Sequence, residues 1–473
     1  MLRKTLDYFA LARPYLVVVL ISIALFWPTW FRLAQAWLQF EQVLVHGLPT
    51  FFIFIGLLFI HPPKPLIQES SRFSWLGGIS LICSVIVWSL LELVRIDTLA
   101  FLMLPVGMVT ISWALLGLPR TLSFLPYVLF LSLSLPFWAD IVPLLVSLAS
   151  VVVGEWVRWF GITALIEGNS ITLPYGRLLI ADGCSGIRYF AISILLAMMT
   201  SILNDFRWKG WLVTVMTAML IGLLANWVRI TILVFVAHET NMESDLLNDH
   251  ETLGWIVFGA FILPTLYFSP VRKRNNISNA SITRESNTNT VGVFAIVVAI
   301  IIGPVALTLA HIGYGQTPPW ELRLEGFQAK ESTSELPMPI SLPSLLDQQI
   351  WSSGQAWISL AQSQRTESNE KLVPYLPQIY DRSLWQVEEQ LAPGALLFRN
   401  ILTRDVVLMA QWYQVGNRSS LKYREAKLLQ IPATLSGESR FALVTIQVRC
   451  ENRDCNDERS LLKRIKHQLE GQM

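Results

Sequence analysis

The feature that most constrains this fold is a series of long apolar runs in the first two thirds of the chain. Nine of them approach the length of about 20 residues that a helix needs to cross a bilayer core. They lie at 15–31, 43–60, 75–94, 98–117, 121–137, 186–203, 211–237, 253–270 and 291–311. Because lipid offers no hydrogen-bond partners, the backbone of each run must pair within itself. The runs therefore predict an all-α polytopic membrane protein with about nine transmembrane helices.

A tenth apolar run, 141–160, decides how the helices are oriented. Its end carries Trp156 and Trp159, which suit a membrane interface, beside the charged Glu155 and Arg158. If this run does not fully cross, the basic clusters of the short loops all fall on one side, which is then the cytoplasm. We therefore interpret it as interfacial or re-entrant. The N-terminus is then cytoplasmic in the plasma membrane, and the C-terminal domain lies outside the cytoplasm.

The fraction of charged residues differs between two parts of the chain. Charged residues make up about 11% of residues 1–311 and about 22% of residues 312–473, and a soluble chain carries about 25%. This shift predicts a multi-helix membrane domain, a polar cytoplasmic loop with a final transmembrane helix, and an extracytoplasmic domain. Their ranges are 1–270, 271–311 and 312–473.

The C-terminal domain has a different pattern. Runs rich in apolar or β-forming residues at 395–402, 406–413 and 441–448 predict strands, and a short helix is expected near 460–469. The sequence thus predicts an α+β or mostly β domain. Cys450 and Cys455 lie close together after the last of these strands, and a disulfide between them suits a compartment outside the cytoplasm.

The overall charge and the cysteine count exclude several classes of protein. The formal net charge is +2, so nothing indicates nucleic acid as a partner, and the bilayer is the surface that this chain fits. Only four cysteines occur, which excludes a disulfide framework for the body of the protein. Cys83 lies inside an apolar run and is interpreted as a small hydrophobic residue. No metal site or organic cofactor is indicated.

Cys184 stands where a polar segment becomes an apolar helix, in the run Ala-Asp-Gly-Cys-Ser-Gly-Ile-Arg-Tyr from Ala181 to Tyr189. Small neighbours allow a substrate backbone to approach closely. A thiol at the N-terminus of a helix meets the positive end of the helix dipole, which favours the thiolate. The alternative is a structural cysteine.

Asn226 and Arg229 are three residues apart within an apolar run and share one face of a helix. Ionisable groups inside membrane helices are costly, so each is a functional candidate. The functional interpretation is a fixed cation for an oxyanion or a carboxylate. The alternative is an arginine that snorkels to the interface, or a structural ion pair.

Two histidines compete for a role beside the cysteine. His250 precedes the eighth apolar run, and His238 lies at the end of the seventh. With the predicted topology, Cys184, Arg229 and His250 reach similar depth on the outer face. Cysteine and histidine are the minimal set for nucleophilic acyl transfer, and arginine would stabilise the tetrahedral oxyanion.

Three motifs carry a resemblance to a known family. They are Cys184-Ser185-Gly186, Asn226-Trp-Val-Arg229, and His250 followed four residues later by the Gly-Trp pair at 254–255. In this order the chain resembles the exosortase/archaeosortase family of membrane transpeptidases. A departure is Asp182-Gly183 before the cysteine, where many members have Glu-Ala, and this leaves open any role for a carboxylate there.

The resemblance implies that Cys184 is the nucleophile, His250 the general base and acid, and Arg229 the stabiliser of the transition state. Arg188 matches a frequent family feature and, with Asn226, is a candidate for substrate binding. The implied substrates are membrane-anchored proteins that end in a Pro-Glu-Pro-type sorting signal, one helix and a basic tail, with links to exopolysaccharide export. The match covers roughly residues 15–270.

The C-terminal domain resembles, more weakly, the accessory domain that accompanies exosortases in exopolysaccharide loci. The run Val406–Tyr413 carries this resemblance, and it implies a partner-binding or substrate-presenting role. Two other functions stay open for the whole chain. One is a transporter or scaffold for exopolysaccharide or lipid export, in which Cys184 is incidental. The other is a membrane acyltransferase that uses the same thiol on a lipid.

Overall fold

The computed structural model forms two compact units. The first comprises Met1–Trp88 and Asp97–Gly303, and the second comprises Ser89–Ile96 and Pro304–Met473. The structure describes residues 2–38, 46–63, 75–180, 185–247, 249–268, 290–308, 318–324, 326–330, 336–365, 370–376, 379–381, 384–450 and 455–472.

The first unit is built from helices, because its long apolar runs satisfy their backbone hydrogen bonds within each segment. A final helix, α11, continues as a π-helical turn at Ile301–Val305. The helices are α1 Leu2–Leu25, α2 Trp27–Trp37, α3 Gly47–Ile60, α4 Trp75–Val94, α5 Asp97–Leu116, α6 Leu118–Ser132, α7 Val142–Trp159, α8 Ile187–Leu203, α9 Trp208–Glu239, α10 His250–Phe268 and α11 Thr290–Ile300.

Within the described ranges, four helices are long and apolar enough to cross a membrane: α4, α5, α7 and α9. A fifth span results if α1 and α2, which meet at 95°, count as one. The apolar helices α3 and α8 are shorter. The helical membrane architecture is thus confirmed, and nine crossings stay a prediction. By length and composition α7, in the segment interpreted as interfacial or re-entrant, is able to cross.

Small residues let α8 and α9 pack closely. A methyl group on Gly222 of α9 would lie 2.9 Å from Ser193 Oγ and 3.1 Å from Phe190 Cα. Glycine therefore allows the two helix backbones to meet, as is common between membrane helices. On another side of α9, Trp227 meets Trp156 of α7 edge to face, with ring centroids 6.3 Å apart.

A small antiparallel meander joins α7 to the segment before α8. It consists of β1 Leu165–Glu167, β2 Ser170–Leu173 and β3 Gly176–Leu179. Gly168 adopts a φ of +60° in the turn between β1 and β2, a conformation that favours glycine. The sequence analysis did not predict these strands.

The second unit is centred on one antiparallel sheet of eight strands. Seven strands follow the order β4-β5-β6-β11-β9-β8-β7, and β10 pairs with β9 off this path. The strands are β4 Gln328–Lys330, β5 Asp347–Ser353, β6 Ala356–Gln364, β7 Trp385–Ala392, β8 Ala395–Asn400, β9 Val406–Val415, β10 Arg418–Ser420 and β11 Arg440–Arg449. Two helices accompany the sheet, α12 Tyr423–Leu435 and α13 Asn456–Glu470.

Strand alternation gives the central strand β11 two apolar faces. Its even-numbered residues from 442 to 448 join a core with Leu462 and Ile465 of α13. Phe441 and Leu443 join a second core that includes residues of α12. The sheet therefore carries a helix on each face, and the C-terminal β-sheet domain expected from the sequence is confirmed.

The start of α13 is tied to the end of β11 by a disulfide. Cys450 and Cys455 form this bond with their Cα atoms 5.3 Å apart, and Cys455 is fully buried. The helix then begins at Asn456, with Asp457 and Glu458 in its first turn, where acidic side chains complement the helix dipole.

Candidate active site

The candidate site lies where α8 and α10 begin and where α9 passes between them. Asn226 and Arg229 are on the buried face of α9, with exposed fractions of 1% and 2%. His250 is the first residue of α10. The segment with Cys184 leads into α8, which starts at Ile187.

Arg229 is the centre of this arrangement. Its Nε donates a hydrogen bond to the backbone carbonyl oxygen of His250, at 3.2 Å. Its guanidinium carbon lies 5.7 Å from the centroid of the Tyr189 ring, within the range of a cation–π contact. Among the described residues it forms no ion pair with a carboxylate. The side chain is thus held within the bundle, and its terminal nitrogens carry four further N–H donors.

Tyr189 is a site residue that the sequence analysis missed. It is 5% exposed and stacks with Phe258 of α10 at 5.1 Å between ring centroids. Trp255, also on α10, meets it edge to face at 5.7 Å. Its position next to Arg188, and the aromatic residues along the segment that forms α10, were the sequence features that could have indicated this role. Tyr189 fixes Arg229 against α10 from the side of α8.

Two motif glycines have steric roles. Gly186 has a φ of +77°, and a methyl group there would come within 2.6 Å of Asn226 Cβ. Gly254 faces the other side of the cluster, where a methyl group would overlap Tyr189 Oη and lie 2.9 Å from Arg229 Nε. Both positions therefore exclude a side chain, which gives the Cys-Ser-Gly and Gly-Trp motifs a physical reason.

His250 contacts Arg229 through its backbone, while its ring makes a separate interaction. The ring is partly buried, and its Nδ1 lies 3.3 Å from the carbonyl oxygen of Leu247. When Nδ1 carries the proton, it donates to that oxygen, and Nε2 keeps its lone pair. In this tautomer His250 is able to accept a proton through Nε2.

Cys184 and Asp182 lie outside the described residues. The residues that follow Cys184 are described: Ser185 is buried, and its Oγ accepts a bond from the Ile187 amide at 3.4 Å. Gly186 caps the N-terminus of α8. The covalent chain therefore places Cys184 within three residues of a helix N-terminus, where the partial charge is positive.

The structure separates His238 from this cluster. His238 is nine residues beyond Arg229 on α9, which turns its side chain by roughly 180° around the helix. Its Nδ1 is buried without a hydrogen-bond partner among the described residues. Of the two histidines, His250 is the one that contacts Arg229.

Arg188 lies at the surface of the site. Its Nη1 pairs with Glu251 Oε1 at 3.1 Å, and both side chains are more than half exposed. This ion pair links the first turns of α8 and α10, next to Ile187 and His250. Exposed pairs contribute about 0–1 kcal/mol to stability, so Arg188 is free to exchange partners.

The described residues offer no cluster of three or more His, Cys, Asp or Glu that could hold a metal ion. The described cluster brings together a buried cation, a partly buried imidazole and the first turn of a helix.

The comparison with protein families decides the identity of this part of the chain. Residues 37–267 match the family model of the transmembrane exosortases (Exosortase_EpsH). These residues are similar to the transmembrane exosortases. The exosortase match covers just under half of the chain, includes all three motifs, and confirms the family resemblance. No curated protein and no solved structure matches the chain.

Proposed function

We propose that this protein is a membrane cysteine transpeptidase that cuts the C-terminal sorting signal of membrane-anchored proteins. The observation that carries the proposal is the packing of Arg229 against the first residue of α10 and against Tyr189 of α8. It brings the cation, the histidine and the helix that follows Cys184 into one cluster. The similarity to the transmembrane exosortases supports this reaction class.

The reaction follows from the chemistry of these groups. His250 Nε2 takes the proton of the Cys184 thiol, and the thiolate attacks the carbonyl carbon of the scissile peptide. Arg229 stabilises the oxyanion that forms. As the C–N bond breaks, the leaving amine takes the proton from His250, and the acyl group stays on the sulfur as a thioester. An acceptor amine or water then attacks the thioester and restores the thiol.

The second unit supports a location for the site. Its Cys450–Cys455 disulfide requires an oxidising compartment. We therefore propose that this unit lies outside the cytoplasm, and that the site at the start of α8 and α10 faces the extracytoplasmic side of the membrane. We propose a partner-binding or substrate-presenting role for the second unit.

The decisive experiment uses an exported reporter that ends in a Pro-Glu-Pro-type signal, an apolar helix and a basic tail. It is expressed with the wild-type chain or with Cys184→Ala, and its mass is measured. Cys83→Ala is the matched control, because Cys83 is the free, exposed cysteine of α4. We expect the wild type and Cys83→Ala to truncate the reporter, and Cys184→Ala to leave it intact.

The mass of the new C-terminus separates transfer from hydrolysis. Equal truncation in all three strains would refute the cysteine mechanism and favour the transporter or scaffold function. A lipid on Cys184 in place of a peptide adduct would favour the acyltransferase.

A further inference from the structure

A groove of about 650 Å³ runs along one face of α7, where the helix meets the β-meander. Three small residues of α7 are among those that line it, Ser147, Ser150 and Gly154. Val151 borders it and is 63% exposed, so the groove is open at its side. Pro143 and Arg158 are 15 positions apart on the helix, which corresponds to about 22 Å of helix rise.

The two parts of the groove differ in polarity. Most of its length belongs to α7, which has the length and composition of a membrane span. At the C-terminal end of α7, the groove is lined by Arg158 and by Gly168 and Asn169 of the β1–β2 turn. Arg158 pairs there with Glu155 at 2.7 Å. The groove thus fits a partner whose apolar helix is joined to a polar segment.

This polar end of the groove is connected directly to the segment that carries Cys184. Asn169 binds Ile180 twice: its carbonyl oxygen accepts the Ile180 amide at 2.8 Å, and its Nδ2 donates to the Ile180 carbonyl at 3.3 Å. Cys184 follows Ile180 by four residues, which span at most about 14 Å. A chain that leaves the groove at Asn169 therefore comes within reach of the thiol.

We propose that this groove binds the transmembrane helix of the protein substrate and guides the preceding polar segment, which contains the scissile bond, to Cys184. The inference rests on the proposed function and names the surface through which it selects substrates. Ser147 and Ser150 are small lining residues, and small residues on a helix surface allow another helix to approach closely in lipid. The length of about 22 Å matches most of a helix that crosses a core of about 30 Å.

The position of the substrate helix is tested by photo-crosslinking in the full chain with Cys184→Ala, which leaves the substrate uncut. p-Benzoylphenylalanine replaces Ser147 or Val151 in the groove. In the control it replaces Leu148, which is 38% exposed on the same helix but does not line the groove. The reporter described above is co-expressed in the membrane.

We expect crosslinks to the apolar helix of the reporter from positions 147 and 151, at least about tenfold above position 148. Equal crosslinking from all three positions would overturn the proposal. So would crosslinks only to lipid, or only to a second copy of this chain.

A second experiment fills the groove in the active protein. Ser147→Trp and Val151→Trp should slow reporter cleavage at least about tenfold at limiting substrate, and Leu148→Trp should leave it unchanged. The thermal stability of each variant in detergent shows that the fold is retained. Unchanged cleavage by both groove variants would refute the proposal even if cleavage still requires Cys184. Conversely, processing that does not require Cys184 would refute the proposed reaction. The crosslinks would then still test whether the groove binds the substrate helix.

Discussion

Replacing Gly254 with alanine tests whether the packing of α10 controls the reaction. The new methyl group would overlap Tyr189 Oη and lie 2.9 Å from Arg229 Nε. Tyr189 cannot move alone, because Trp255 and Phe258 hold its ring from α10. The substitution therefore displaces the aromatic cluster, the arginine, or the first turns of α10.

The size of the effect follows from this crowding. Overpacking of a tight site costs about 1–3 kcal/mol. A shift of about 1 Å in a positioned reacting group costs about 10²-fold in rate. We therefore expect Gly254→Ala to slow reporter cleavage about 10²-fold and to lower the melting temperature in detergent.

The assay is the initial rate of reporter truncation in membranes, normalised to the amount of folded protein. Gly259→Ala is the matched control, because a methyl group at Gly259 on the same helix meets nothing within 4 Å. Tyr189→Phe removes the overlapping hydroxyl and should restore part of the rate lost in Gly254→Ala. If Gly254→Ala cleaves as fast as Gly259→Ala, the steric argument is wrong.

Three further predictions concern other parts of the molecule. Arg229→Lys keeps the charge but loses the planar fork, so the rate of cleavage should fall about 10²–10³-fold, with Arg207→Lys as the control; a near-normal rate would reduce Arg229 to an anchor. Gly186→Ala should lower both the melting temperature and the rate of cleavage more than Gly161→Ala does. Gly161 also has a left-handed φ, of +72°, but a methyl group there meets nothing within 4 Å. Equal effects of the two substitutions would mean that backbone strain, and not the contact with Asn226, explains the loss. Cys450→Ser should lower the free energy of unfolding of the second unit by about 2 kcal/mol, because a disulfide that closes a short loop removes about this much entropy from the unfolded chain. Urea-dependent proteolysis of the full chain measures this change. An unchanged urea midpoint would contradict the prediction.

The helical part of the fold was predictable because an apolar run in lipid can satisfy its own backbone hydrogen bonds only as a helix. The predicted run 75–94 is helix α4, and 186–203 differs from α8 by one residue. The predicted run 15–31 contains a bend, because α1 ends at Leu25 and α2 begins at Trp27. Pro28 stands in the first turn of α2, where proline favours a helix start, so a signal for this break was present.

The candidate site was predictable as a set of residue types and an order, but its contacts were not. Spacing placed Asn226 and Arg229 on one face of a helix. It could not show that Arg229 binds the backbone of His250, because that contact depends on how α9 and α10 pack. The role of Cys184 stays a prediction, since this residue lies outside the described structure.

The β-meander escaped sequence analysis because its strands have three or four residues each. Runs this short give too few alternations to separate a strand from a loop. In the second unit, by contrast, β9 and β11 have ten residues each, and both were predicted. Strand length therefore decided which part of the β structure was visible in the sequence.

The burial of Arg229 has a consequence for inhibitors. Arg229 is 2% exposed, and an interaction between opposite charges is stronger in such a water-poor setting than in bulk water. An anion formed beside Arg229 is therefore stabilised more than the same anion in solvent. Compounds that mimic the tetrahedral anion, such as peptidyl phosphonates or boronates, should therefore bind more tightly than substrate-like peptides and should raise the melting temperature.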